Sequence, residues 1–242
     1  MNILAIGNSF SQDATRYLKG VAKADDCNIT VVNLFIGGCP LSTHYKNILE
    51  DYKAYSMEFN GEPTGFFVSI KDALLSRRWD YVTMQQVSNE SPDYETYQPY
   101  LNELSAYVKK YAPKAKQLMH MTWAYEEGSD KLCKDLGYEK RSEMFAGIKK
   151  SYTAAAEEIG ADGIIPSGEL LEVLTANGIE KVHRDTFHAT YGLGRYALAL
   201  LWYSYLTGND VENNTFADFD EAISEKEIKI AKECVKKVLG KK

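Results

Sequence analysis

A serine at position 9, a carboxylate at position 185 and an imidazole at position 188 are the residues of this chain whose types and spacing best suit chemistry. Ser9 follows the apolar run of Met1-Asn-Ile-Leu-Ala-Ile-Gly-Asn-Ser, which stops abruptly at Gly7 and Asn8. That pattern reads as a buried strand whose glycine turn delivers a hydroxyl to its carboxyl end, where ligands collect in open α/β sheets. A serine hydroxyl is barely ionised at neutral pH and needs a neighbouring base to attack anything. Val182-His-Arg-Asp185-Thr-Phe-His188 supplies one: the three-residue spacing lets Asp185 hold one ring nitrogen of His188 while the other faces a nucleophile. Ser9, His188 and Asp185 would then form a hydrolytic triad. Taken singly, Gly-Asn-Ser is an ordinary turn and helix cap, and Asp-x-x-His is a surface loop or half a metal site. It is their joint presence that favours the triad. His44, His120 and His183 show no His-x-x-x-His spacing, so no metal site is expected, and His183 is assigned no role.

These groups must be positioned by the elements between them. Apolar runs ending near Ile6, Ile36, Met84, Thr122 and Ile165 predict five strands. Stretches with helical spacing lie between them at about 11–25, 67–78, 94–111 and 139–159, as the crossovers of a parallel sheet require. The expected fold is therefore α/β, a three-layer α/β/α sandwich around a five-stranded parallel sheet. Residues 41–65 break the rhythm and are read as an insertion, with Asn60-Gly61 as a turn and 55–59 pairing against 66–70. Residues 191–206 are strongly apolar and stop at Thr207-Gly208, while Ser224 opens a final helix to about 239 with a Ser-x-x-Glu capping box. With no repeat and no linker, residues 1–242 read as one domain.

The sequence resembles the SGNH or GDSL hydrolases along nearly its whole length. Gly7-Asn8-Ser9 matches that family's Gly-Asp-Ser block with Asn in place of Asp, and Asp185-Thr-Phe-His188 matches its Asp-x-x-His block. The resemblance implies flavodoxin-like strand order, an acyl-enzyme mechanism with no metal and no cofactor, and an oxyanion hole. The Ser9 N–H and Gly38, in Ile36-Gly-Gly-Cys-Pro40, would supply two donors. The third belongs to a block reading Gly-x-Asn, which lays Asn89 on the Asn but Val87 on the Gly, so Gln86 and Asn89 both stand as candidates. The Gln85-Gln86-Val-Ser-Asn wording resembles a bacterial subgroup of SGNH-like hydrolases.

Composition sets the bounds. The 242 residues suffice for a sizeable core, charged residues make up 26%, and the net charge is -6 with no basic block, which excludes a nucleic-acid partner. No leader pattern and no membrane-length apolar run is present, so a cytoplasmic chain with no membrane partner is expected. Cys27, Cys39, Cys133 and Cys234 are scattered and suggest neither zinc nor disulfides. Seventeen Tyr and three Trp, with Trp123 and Tyr125 just after the fourth strand, suit sugar rings. The expected activity is a short-chain or carbohydrate O-acetylesterase acting on a small ester such as an acetylated oligosaccharide; the oligomeric state is not readable. Two alternatives stand beside it: a lysophospholipase- or thioesterase-type acylhydrolase, and a non-catalytic flavodoxin-like ligand-binding module.

Overall fold

The computed structural model describes residues 1–241. Five strands run parallel: β1 (Asn2–Gly7), β2 (Thr30–Phe35), β5 (Tyr81–Met84), β6 (Lys116–His120) and β7 (Gly163–Ile165). Two more, β3 (Tyr55–Phe59) and β4 (Glu62–Val68), form an antiparallel hairpin on the outer edge of β2. The sheet thus has seven strands in the order β4-β3-β2-β1-β5-β6-β7, two more than the five expected. The parallel five alone follow the flavodoxin-like order, in which the direction of winding reverses between β1 and β5. β1, at the centre, is buried along nearly its whole length, which explains why it reads as an unbroken apolar run rather than an alternation.

Helices cover both faces. α1 (Ser9–Thr15), α2 (Leu18–Ala24), α7 (Ser167–Ala176), α8 (Leu193–Thr207) and α9 (Glu225–Val238) pack together as one layer, and α3 (Leu41–Leu49), α4 (Ile70–Ser76), α5 (Tyr100–Tyr111) and α6 (Arg141–Ile159) as the other. α8 is buried on almost every side, and Gly208, at φ 78°, ends it as the Thr-Gly pair predicts. Ser224 and Glu227 form the expected capping box at the start of α9. No helix among the described residues is long and apolar enough to cross a membrane.

The departures from expectation have identifiable causes. The 11–25 helix breaks in two at Arg16-Tyr17, where the Tyr17 hydroxyl is pinned between the Tyr191 carbonyl and the Asp220 N–H, each at 2.6 Å. Segment 41–65 contributes α3 and most of the hairpin, which extends the sheet instead of standing beside it. Asn60 and Gly61, at φ 53° and 86°, make a two-residue turn that sets Phe59 opposite Glu62, and a register shift between Ser56 and Glu58 then brings Tyr55 opposite Val68. The returning strand therefore starts earlier than residue 66. It stops at Val68 because Ser69 caps α4 with Asp72.

Candidate active site

Ser9 stands at the first position of α1, directly after β1, with Asn8 as the helix cap. Gly7 allows the approach: a Cβ there would lie 2.5 Å from Ser11 Oγ and 2.9 Å from the Gln85 carboxamide. The Ser9 hydroxyl lies 2.7 Å from His188 Nε2, and His188 Nδ1 lies 2.8 Å from Asp185 Oδ2. The other Asp185 oxygen accepts the His188 backbone N–H at 2.9 Å, so one carboxylate fixes both the ring and the chain that bears it. Partial burial works against ionisation of Asp185, but its hydrogen bonds from His188 and the Arg184 charge outweigh it and hold the carboxyl below its ordinary range. An ionised Asp185 keeps the proton on Nδ1 and leaves Nε2 free to accept from Ser9.

The loop carrying Asp185 and His188 is stiff. The Arg184 N–H donates to the His188 carbonyl and the Thr190 N–H to the Val182 carbonyl, and His183 bridges Ala189. Between the two site residues, Thr186 sits at φ 77°, a left-handed conformation that a β-branched residue rarely adopts; its carbonyl accepts the Glu126 N–H at 2.7 Å. The His188 ring rests 4.0 Å from the Phe187 ring centroid and 5.8 Å from that of Phe10. His183 itself is buried, its Nε2 3.1 Å from the Ala124 carbonyl, and burial with the Arg141 charge lowers its pKa to about 3.

These groups open onto a cleft of about 640 Å³ whose lining includes Ser9, His188, Gly38 and Asn89 together with Phe35, Val87, Tyr125, Leu136 and Phe187. It lies over the carboxyl ends of β1, β2, β5 and β6, at the point where the winding reverses. Gly38, at φ 60°, faces open space, so backbone conformation rather than room explains the glycine. Asn89 is exposed at the cleft rim. Gln86 is elsewhere. Its Oε1 accepts the Leu41 and Val87 N–H groups, each at 2.9 Å, and its Nε2 donates to the Thr96 carbonyl and hydroxyl at 3.0 and 3.1 Å. Fully buried and fully engaged, it holds the start of α3 and has no donor left for an oxyanion.

The aromatic pair separates too. Tyr125 lines the cleft, its hydroxyl 2.8 Å from Ser88 Oγ. Trp123 does not: fully buried, it stacks on Phe10 at 4.2 Å and donates its indole N–H to the Phe187 carbonyl at 2.7 Å, bracing the loop from behind. Sequence reasoning missed Lys131 and Asp135, which reach the cleft from a π-helical turn over Lys131–Asp135. The Lys131 ammonium sits 4.9 Å above the Phe187 ring. No periodicity in so short a turn could have signalled them.

Comparison with known proteins gives this arrangement its relatives. The family model described as Domain of unknown function (DUF4886) matches residues 2–238. A DUF4886 family protein from Bacteroides uniformis ATCC 8492 is similar in structure with a TM-score of 0.92 at 32% identity, over 99% of this chain and 94% of that one. A protein from Slackia heliotrinireducens proposed to be an SGNH hydrolase matches with a TM-score of 0.62 at 23% identity, over 85% of this chain and 98% of its own. LAE5, an α/β hydrolase enzyme from the metagenome of Lake Arreo, Spain, matches with a TM-score of 0.58 at 13% identity, over 86% and 94%. The fold is that of the SGNH hydrolases. No curated protein matches the chain.

Proposed function

The chain belongs to the DUF4886 family, and from its fold and the Ser9–His188–Asp185 geometry we propose that it is a serine-dependent hydrolase of carboxylic esters. The observation that carries the reading is the continuous hydrogen-bonded line from Ser9 Oγ through both nitrogens of His188 to Asp185, at 2.7 and 2.8 Å. Each link has the partner it needs for proton transfer at neutral pH.

In this reading Ser9 Oγ attacks the ester carbonyl carbon while His188 Nε2 takes its proton, and Asp185 stabilises the resulting imidazolium. The oxyanion is met by the N–H groups of Ser9 and Gly38 and by the Asn89 carboxamide. The Ser9 N–H, the first of its helix, has no intrahelical acceptor, and each such donor contributes roughly 3–4 kcal/mol to lowering the barrier. Collapse of the tetrahedral intermediate breaks the bond to the alcohol oxygen, which leaves with the proton from His188. Water then attacks the acyl-serine with His188 again as base, freeing the acid and restoring Ser9.

For the substrate, we take a short acyl group, foremost an acetyl ester on a carbohydrate. The aromatic edges of Tyr125 and Phe187 line the cleft where a sugar would sit, and Lys131 and Asp135 offer polar contacts beside them. The apolar wall of Phe35, Val87 and Leu136 favours one competitor, an acylhydrolase for longer chains. Hydrolysis of p-nitrophenyl acetate, butyrate and octanoate by wild type and Ser9→Ala, alongside acetate release from acetylated xylo- and manno-oligosaccharides, separates them. Serine-dependent activity confined to acetyl esters and sugars supports the carbohydrate reading; activity rising with chain length supports the competitor. Absence of any serine-dependent turnover, together with no fluorophosphonate labelling of Ser9, overturns the hydrolase reading.

A further inference from the structure

Asn8, between the turn glycine and Ser9, is buried, with 1% of its surface exposed, and its carboxamide is used on both sides. Its Oδ1 accepts the Phe10 N–H at 3.1 Å and Gln85 Nε2 at 2.8 Å, while its Nδ2 donates to the Cys39 carbonyl at 3.2 Å. Behind Gln85, His120 Nδ1 lies 2.7 Å from Gln85 Oε1. The direction of every bond in this line follows from its two backbone ends. The Phe10 N–H can only donate and the Cys39 carbonyl can only accept, so the Asn8 amide has one allowed orientation. That orientation makes Gln85 Nε2 the donor to Asn8, leaves Gln85 Oε1 as acceptor, and requires the proton of His120 on Nδ1. Burial lowers the His120 pKa to about 3, so the ring is neutral and able to hold that tautomer.

We propose that Asn8 is a positioning residue that ties the Gly38–Cys39 loop to the Ser9 turn, and that the neutral amide is required because it must donate to Cys39 while accepting from Gln85 and Phe10. The proposal rests on the reading of Ser9 as nucleophile and Gly38 as oxyanion donor. The two strands that carry these donors, β1 and β2, are neighbours, but the loop after β2 leaves the sheet at Ile36 and has few other anchors. The Cys39 N–H closes a turn on the Ile36 carbonyl at 3.3 Å, and Gln86 receives the Leu41 N–H two residues on. Consecutive glutamines thus secure the loop from two sides, Gln85 through Asn8 and Gln86 directly.

An aspartate at this position keeps the shape but loses the donor. Its second oxygen would face the Cys39 carbonyl across 3.2 Å, lone pair to lone pair, in a buried site with no cation in the line. The carboxylate then either displaces the loop, and the Gly38 N–H with it, or takes up a proton and donates as the amide does. The titratable groups facing the line are His120 and Cys39; burial lowers the first to about 3 and raises the second to about 12, so neither titrates across the range of an activity assay. Glu58 lies further off, linked through Asn33 and Ser11 to the Asn8 carbonyl.

The test is the rate at which a fluorophosphonate labels Ser9 in wild type and Asn8→Asp, from about pH 8 to about pH 5, with unfolding measured at each pH. Phosphonylation passes through the same charged oxygen and so reads the loop directly. The expected result is labelling about a hundredfold slower than wild type at the alkaline end, as for a donor misplaced by about 1 Å, with the ratio to wild type recovering as the pH falls and the buried acid protonates. If Asn8→Asp does not fold at the alkaline end, Asn8→Ala replaces it, and slowed labelling in that folded variant supports the proposal. Wild-type rates in folded Asn8→Ala, which has no donor at this position, or a deficit independent of pH in Asn8→Asp, overturn it. Failure of the wild type to label at all would instead overturn the assignment of Ser9 as nucleophile.

Discussion

Arg184 Nη1 lies 3.0 and 2.8 Å from the two carboxylate oxygens of Asp13, and this contact ties the loop of Asp185 and His188 to the helix of Ser9. Asp13 is one turn beyond Ser9 on α1 and fully buried; Arg184 immediately precedes Asp185. Arg195 adds a second guanidinium at 2.8 Å and passes the line on to Asp220, and both arginines stack over Tyr191. Two ends of the chain are thereby held in one register by a single acid.

Asp13→Ala should be strongly destabilised, because it leaves Arg184 without its carboxylate and Arg195 with Asp220 alone, and neither guanidinium has much water to turn to. Removing one partner of a buried pair costs about 3–5 kcal/mol, which for a chain of this size lowers Tm by roughly 10 °C. Denaturant unfolding of the variant checks this. A loss below about 1 kcal/mol would mean that water reaches the arginines and that the clamp is dispensable.

Ser9→Ala and His188→Ala should each lower kcat for p-nitrophenyl acetate by more than about a thousandfold, and the double variant should lose little more, since both act in one step. Asp185→Asn should fall by a comparable factor of about 10⁴ through the wrong tautomer of His188. Kinetics of the three single variants and the double variant suffice. Retained activity in Ser9→Ala would remove the nucleophile; additive losses would separate the roles.

The two amide side chains considered for the oxyanion should behave oppositely. Gln86→Ala should cost about 2–4 kcal/mol of stability, because it leaves the Leu41 and Val87 N–H groups buried without acceptors. Asn89→Ala should leave stability unchanged and lower kcat about a hundredfold with little effect on KM. Parallel unfolding and steady-state measurements decide; a kcat defect confined to Gln86→Ala in a stable protein would reverse the assignment.

Acid should unfold the protein early. His44 and His120, by burial, and His183, by burial and the Arg141 charge, are lowered to about 3. Their unfolded forms take up protons near pH 6.5, so the stability they contribute is full above that value and is lost as the pH falls from about 6.5 toward 3. Each histidine gives a slope of up to about 1.4 kcal/mol per pH unit. Denaturant unfolding at about pH 8, 6.5 and 5 should show a flat upper portion and a steep fall; constant stability down to pH 5 would mean that these rings are protonated in the folded chain.

The features legible in the sequence were those with local causes. The strand before Gly7, the helix stop at Gly208 and the cap at Ser224 each follow from neighbours a few residues away. Helices α3 and α7 escaped notice because both begin at a proline without a side-chain cap, at Pro40 and Pro166, and neither carries a clear start signal. In the candidate site, residue type announced Ser9, Asp185 and His188, but side-chain direction was invisible. Trp123 and Tyr125 look alike in sequence, yet one braces a loop from behind and the other walls the cleft. Gln86 and Asn89 offer the same amide, and only tertiary hydrogen bonds show that the first is spent on Leu41, Val87 and Thr96. Asp13 and Arg184 are 171 residues apart, and nothing local links them.

Ser9 and His188 are separated by 179 residues, a distance with a temporal meaning. At synthesis rates of about 5–20 residues per second, roughly 10–40 s pass between the emergence of the hydroxyl and that of its base. During that interval β1 and its turn can pair with β2 and β5, but Ser9 has no proton acceptor and Asp13 no guanidinium. If Ser9 is the nucleophile, as proposed, the nascent chain stays chemically silent in the crowded surroundings of the ribosome and gains reactivity only when the loop of Asp185 and His188 docks on α1.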